Sequence, residues 1–289
     1  MSSPRPQSSE EQQQPVDVLE MNEGYEKIAG TFQFTGTLIV YRTDSGDLHH
    51  AIPEGRYSSR SEVKIEDLRH NVLITVSAYS PLFPEGFTRA PDPLPQNCHV
   101  KKPRLNSYDR IQHGPRPDEI AETVLLEAEV RELLAQHPHP NVATYLGCQV
   151  SPDGRITGLC FETYQCTLMQ RVNPGSLMKR RPRSHRQRGE DYSGLLAGVE
   201  SGIKHLHALG LVHNDTNPSN IMLDGSGNAV IIDFGPCRRV GESLEGVGRT
   251  YEWYDEKIET ALPQNDLDAL EEIRIWLGDD DSKLFQFDE

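Results

Sequence analysis

Residues 212–223 read V-H-N-D-T-N-P-S-N-I-M-L, and residues 230–235 read V-I-I-D-F-G. No other stretch limits what this chain can become so strongly. Short apolar, β-branched runs flank both polar clusters, so two strands joined by a turn carry Asp215, Asn220 and Asp233 to one mouth. Carboxylate, amide and carboxylate are hard oxygen donors of the kind a small divalent cation takes, with one carboxylate left over for proton chemistry. This is a constellation for phosphoryl transfer. A polar turn closed by Asx hydrogen bonds accounts for either segment alone, but not for both in this order and spacing.

Charge and composition narrow the partners. Lys and Arg total 29 against 44 Asp and Glu, a net charge of −15. A general binder of phosphate backbones needs a basic face, so nucleic acid is excluded as the expected partner. The five cysteines (Cys98, Cys148, Cys160, Cys166, Cys237) are scattered and form no C-x-x-C pair, which signals neither a disulfide framework nor a zinc knuckle. No apolar run approaches the ~20 residues a membrane span requires. The expectation is an intracellular protein, cytoplasmic or nuclear, with no membrane partner.

Residues 1–20 carry Pro4, Pro6, Pro15 and a Gln run, and are expected to form a disordered tail. Residues 31–41 read as a strand and lead through Thr43, Asp44, Ser45 and Gly46 into residues 47–52, a β-hairpin. Residues 71–78 suggest a further strand, 81–95 a Pro-rich connector, and 98–102 another strand. Ile120, Val124, Leu126, Val130, Leu133 and Leu134 recur at helical spacing over residues 119–135, until His137-Pro138-His139-Pro140 stops the helix. Residues 142–150 and 155–164 read as strands, 191–209 and 265–277 as helices. Strands first and helices later make an α+β fold.

With these motifs in place, the chain resembles the eukaryotic protein kinases, and more closely a compact group of fungal protein kinase domain proteins, over about residues 95 to 277. The resemblance implies a two-lobed fold: a tail over 1–20, a β-rich N-lobe over 21–161 with one helix at about 118–135, and a shortened helical C-lobe over 162–289. It implies that Asp215 accepts the proton of a substrate hydroxyl, and that Asn220 and Asp233 hold Mg²⁺ or Mn²⁺ on the phosphates of ATP. Lys101, in V-K-K-P, resembles the lysine that contacts the α- and β-phosphates, with Glu127 as its ion-pair partner. Val130 and Leu134 lay an apolar stripe beside Glu127, whereas Glu129 is turned about 200° away. Strand alternation lets only one of Lys101 and Lys102 face the cleft. Glu129 and Lys102 remain the alternatives. By the same likeness Phe161 guards a back pocket, the Glu162 carbonyl and Tyr164 backbone meet adenine, and Asp266 braces the catalytic loop.

The departures are specific. No G-x-G-x-x-G precedes the lysine; residues 29–36 (A-G-T-F-Q-F-T-G) are a loose echo about seventy residues upstream. Asn214 stands where an Arg is familiar, and Asn217 where a Lys is. Gly248-Arg249-Thr250 resembles the end of an activation segment, but no A-P-E follows. The implied activity is ATP-dependent phosphorylation of a protein Ser or Thr. The alternatives are a pseudokinase scaffold and a small-molecule phosphotransferase of the aminoglycoside or choline kinase kind. Residues 179–188 (Lys179, Arg180, Arg181, Arg183, Arg186, Arg188) form a basic run, read either as a solvated loop or as a docking patch for an acidic or phosphorylated partner.

Overall fold

A computed structural model of the chain describes residues 16–28, 31–174, 179, 191–278 and 285–287. The chain divides into two compact units, one built from residues 1–81 and 103–122, the other from 82–102 and 123–289.

The first unit is an antiparallel sheet in the order β1 (Asp17–Ile28), β2 (Thr31–Arg42), β3 (Leu48–Ala51), β4 (Val72–Leu73). Asp17 lies opposite Arg42, and Ile28 opposite Thr31. Residues 17–20, assigned to the tail by composition, are therefore strand. The Pro- and Gln-rich run ends at Pro15, and Val18 is buried with Ile39, Tyr41 and Ala51. The strand expected over 71–78 stops after two residues and turns into α1 (Val76–Tyr79). That turn puts Ala78 beside Val40, Ile74, Leu105 and Tyr108, the last on α2 (Tyr108–Ile111). The Glu20 carboxylate accepts the Leu105 and Asn106 N–H groups at 2.9 and 3.1 Å, which ties β1 to residues 103–122.

The second unit begins with a sheet in the order β5 (Cys98–Lys101), β7 (Ile156–Glu162), β6 (Tyr145–Val150). Residues 88–90 run along β6: Cys148 N–H donates to the Thr88 carbonyl at 2.8 Å, and Ala90 N–H to that of Cys148 at 2.9 Å. Gly147 (φ +116°) permits this approach, because a Cβ there would lie 2.6 Å from the Ala90 nitrogen. Helix α3 (Glu119–Gln136), whose residues from 123 on belong to this unit, packs Val124 and Ala128 on Leu159, Phe161 and Cys148.

Next come β8 (Cys166–Thr167), α4 (Leu168–Val172) and α5 (Ser193–Ala208), then β9 (Leu211–Val212), β10 (Ile221–Leu223), β11 (Ala229–Ile231), β12 (Arg238–Arg239) and α6 (Pro263–Leu277). β10 pairs with β11 and β8, and β9 with β12, all antiparallel. One core joins α5, α6 and these strands through Val199, Ile203, Leu206, Ile231, Ile273 and Trp276. Gly202 brings α5 onto β11, since a Cβ there would stand 2.8 Å from Ile231 Cδ1.

Of the basic run, Arg180, Arg181, Arg183, Arg186 and Arg188 lie outside the described residues. Lys179 is described, and it is no member of an exposed patch. It is 3% exposed, forms an ion pair with Glu272, donates to the Glu252 carbonyl at 2.8 Å, and lies 4.3 Å from the ring centre of Phe285 and 5.1 Å from that of Trp253. Glu272 also accepts the Gln286 N–H at 2.9 Å. Removing one partner of a buried pair strands the other, so Lys179→Met is expected to cost about 3–5 kcal/mol in urea unfolding. A loss under about 1 kcal/mol would mean that the pair is solvated like a surface one.

Candidate active site

Lys101 ends β5 on the face of the sheet that also carries Leu159, its partner across to β7. Its Nζ donates to Glu127 Oε1 and Oε2 at 2.7 and 2.6 Å and to Asp233 Oδ1 at 2.7 Å. One ammonium thus joins β5, α3 and the turn after β11. Lys102 and Glu129 are exposed and take no part in this cluster. Burial works to lower the Lys101 ammonium, but the Glu127 and Asp233 charges outweigh it and hold its pKa above the ordinary 10.5. For Asp233, burial works upward, and the Lys101 charge and hydrogen bond override it to hold the carboxyl below its usual 3.8.

The loop after β9 is built by Asp266, fully buried on α6. Its Oδ2 accepts the His213 N–H and His207 Nε2–H, both at 2.9 Å, and its Oδ1 accepts the Asn214 N–H at 2.8 Å. Asn214 has φ +64°, a conformation Asn tolerates better than most residues. Its amide donates to the Val212 and Pro236 carbonyls at 3.0 and 3.2 Å. At this position the side chain shapes the loop. His213 donates through Nε2 to the Ile232 carbonyl at 2.9 Å, joining the two motif segments, and its Nδ1 accepts the Asp215 N–H at 3.3 Å.

Asp215 is 8% exposed and surrounded by donors. Thr250 N–H donates to Oδ1 at 2.7 Å, Thr250 Oγ1–H to Oδ2 at 3.0 Å, and Asn220 Nδ2 to Oδ2 at 2.8 Å. Asn217 holds the frame, with Nδ2 donating to the Asp215 carbonyl at 3.0 Å and to Thr250 Oγ1 at 3.1 Å. Burial raises the Asp215 carboxyl above its ordinary value, opposed by the Thr250 N–H and the nearby His213. The hydrogen bonds of Thr250 to Asp215 cross 35 residues and have no local signature in the sequence.

Asn220 spends its Nδ2 on Asp215, so its Oδ1 is the end able to meet a cation, alongside Asp233. Among the described residues no three His, Cys, Asp or Glu side chains form a self-sufficient metal cluster. The Asn220 Oδ1 and Asp233 donors suit a small hard divalent cation, which binds through one or two carboxylates and completes its shell with phosphate oxygens and water. Phe161 is buried, with its ring 5.7 Å from that of Tyr145. Glu162 N–H donates to the Thr144 carbonyl at 3.1 Å, and Thr144 N–H to the Tyr164 hydroxyl at 2.9 Å. These bonds tie the end of β7 to the start of β6, on the side of the sheet away from β5. Of the glycine echo, Ala29 and Gly30 lie outside the described residues, and Gly36 is part of β2 in the first unit.

The ion triad sets a pH signature. Depression of Asp233 adds stability above pH 3.8 that is lost as pH falls through the lowered value, and elevation of Lys101 adds stability below pH 10.5 that is lost as pH rises through the raised one. Lys101→Met leaves the buried Glu127 and the partly exposed Asp233 carboxylates without their cation. Its deficit against the parent is expected to be largest near neutrality and to shrink as acid protonates them. Urea unfolding across a pH series measures this; two parallel curves would refute the coupling.

The Protein kinase domain family matches residues 100–256, more than half of the chain. The chain is 33% identical over 102 residues to the serine/threonine-protein kinase shk2 of Schizosaccharomyces pombe, a match covering 35% of this chain and 16% of that protein. It is 36% identical over 110 residues to the MAP kinase kinase skh1/pek1 of the same species, covering 35% and 30%. A third relative, the serine/threonine-protein kinase Sgk2 of Rattus norvegicus, is 38% identical over 74 residues, covering 26% and 20%. The chain spans no more than 30% of the length of any of these three. With the matched span enclosing Lys101, Glu127, Asp215, Asn220 and Asp233, the chain belongs to the protein kinase domain family.

Proposed function

We propose that the chain transfers the γ-phosphate of ATP to a Ser or Thr hydroxyl of a protein. The observation that carries this reading is the convergence, within one unit, of the Lys101–Glu127–Asp233 triad with the hydrogen-bonded Asp215 and Asn220. Lys101 meets the α- and β-phosphates, Glu127 keeps Lys101 in place, and the Glu162 carbonyl and Tyr164 backbone take the adenine beside Phe161. The division between nucleotide-holding strands and catalytic half falls between residues 161 and 162.

Asn220 Oδ1 and Asp233 would hold the divalent ion, which would neutralise charge on the phosphates. A carboxylate has about four lone-pair sites. Thr250 and Asn220 occupy three on Asp215, two of them on Oδ2, so the acceptor hydroxyl approaches Oδ1 and hands its proton there. Burial raises the Asp215 carboxyl above its ordinary value, which makes its carboxylate a better base than that of an exposed Asp. Asn217 holds Thr250 and Asp215 together but brings no charge to the γ-phosphate. Slow turnover is the consequence.

Labelled ATP with Mg²⁺ or Mn²⁺, offered alone and with generic protein acceptors, tests the reading. Label on protein supports it, label on a small molecule favours the small-molecule phosphotransferase, and binding without transfer favours a scaffold. Asp215→Asn is expected to lower transfer by roughly 10²–10⁴ with nucleotide affinity nearly unchanged, because the base acts on the acceptor and not on ATP. Transfer at the parent rate would remove Asp215 from the mechanism.

A further inference from the structure

Helix α3 carries a second charged residue on the buried side that presents Glu127. Arg131, one helical turn further on, is 1% exposed. Its Nη2 donates to the Ala143 carbonyl, while Nε and Nη1 have no hydrogen-bond partner among the described residues. Its guanidinium carbon lies 4.6 Å from the ring centre of Phe234, 5.2 Å from that of Phe161 and 5.8 Å from that of Tyr145. Burial lowers the guanidinium to about 10, with Glu127 the largest opposing influence, so the group keeps its charge at neutral pH.

A buried cation with two unpaired donors is costly, and an apolar side chain of similar length would avoid that cost. What the charge adds is attraction to ring faces, stronger in a desolvated site than at a surface. One of those rings follows Asp233 directly. Asp233 has φ +60°, a left-handed conformation without glycine, so its turn depends on contacts from outside. Phe234 supplies them: its ring meets His213 edge-on at 5.2 Å on one side and Arg131 on another.

We propose that Arg131 is a positioning residue whose positive charge holds Phe234 and, through it, keeps the Asp233 carboxylate where it binds metal and Lys101. The proposal rests on the reading of Asp233 as a metal ligand. It predicts that the charge, and not merely the volume, of residue 131 sets the metal-dependent part of nucleotide binding. Glu127 and Lys101 keep their own hydrogen bonds whatever stands at position 131, so metal-free binding is left alone.

Calorimetric titration of the full chain with ATP, with and without Mg²⁺, tests this in the parent, Arg131→Gln and Arg131→Lys. With Mg²⁺, Arg131→Gln is expected to bind roughly fivefold to thirtyfold more weakly, the range of a desolvated cation–π contact, and without metal to match the parent. Arg131→Lys keeps the cation and is expected to stay within about threefold of the parent in both titrations. If Arg131→Gln does not fold, Arg131→Met replaces it. The proposal is overturned if the uncharged variant binds Mg²⁺–ATP like the parent, if it loses both titrations equally, or if Arg131→Lys falls as far. In each of those results the parent still shows metal-dependent binding and the phosphotransfer reading stands. A parent that binds ATP equally with and without Mg²⁺ overturns that reading and this proposal together.

Discussion

The second unit is organised by one ammonium shared between two carboxylates. Lys101 comes from a strand, Glu127 from a helix and Asp233 from a turn, and only a particular arrangement of all three brings both oxygens within 2.7 Å of Nζ. Lys101 and Asp233 are each about one third exposed, whereas the Glu127 side chain is 5% exposed. The burial is therefore unequal. Glu127 is the member that cannot find water, and its dependence on Lys101 fixes the rotation of α3. Asp233, about one third exposed, keeps water within reach and depends less on Lys101.

A second carboxylate performs a different task. Asp266 binds no cation in the site; it accepts backbone N–H groups of His213 and Asn214, donors that an irregular loop would otherwise bury unpaired. With those N–H groups satisfied, Asn214 can stay left-handed and Asp215 can point inward. The missing Arg and Lys of the familiar pattern acquire a physical reading here. Asn214 and Asn217 use neutral amides to cross-link the loop to Pro236, Asp215 and Thr250, contacts that a charged head would make only with greater desolvation. Loop order is retained and charge is lost.

How much of this the sequence disclosed follows from the range of each interaction. Asp215, Asn220 and Asp233 were legible because their spacing is local and flanked by short apolar strands. Helical periodicity ranked Glu127 over Glu129, because orientation within one element is a local property, whereas strand alternation said only that one of Lys101 and Lys102 faces the cleft and the resemblance of V-K-K-P to the kinase strand chose Lys101. Arg131 was illegible: an arginine among apolar helix positions reads as a solvated neighbour until the rings that cover it, from residues 145, 161 and 234, are assembled in space. The same holds for Lys179, which looked like the first member of a basic surface run and is enclosed by partners 73 and 93 residues away. In the first unit, the start of β1 was hidden by the adjoining Pro- and Gln-rich composition, and the strand expected over 71–78 is cut to Val72–Leu73 and ends in a helical turn.

Lys179 and Arg131 show two ways of keeping a cation inside a protein. Lys179 has a full carboxylate from Glu272, a backbone carbonyl and aromatic rings, so its charge is neutralised where it sits. Arg131 has one carbonyl and three rings, and its nearest helical carboxylate, Glu127, is already engaged by Lys101. In a medium of low dielectric an uncompensated charge acts over longer distances than a paired one. The compensated cation therefore stabilises without reaching the site. The uncompensated one keeps its attraction for the rings that enclose it, Phe234 beside Asp233 among them.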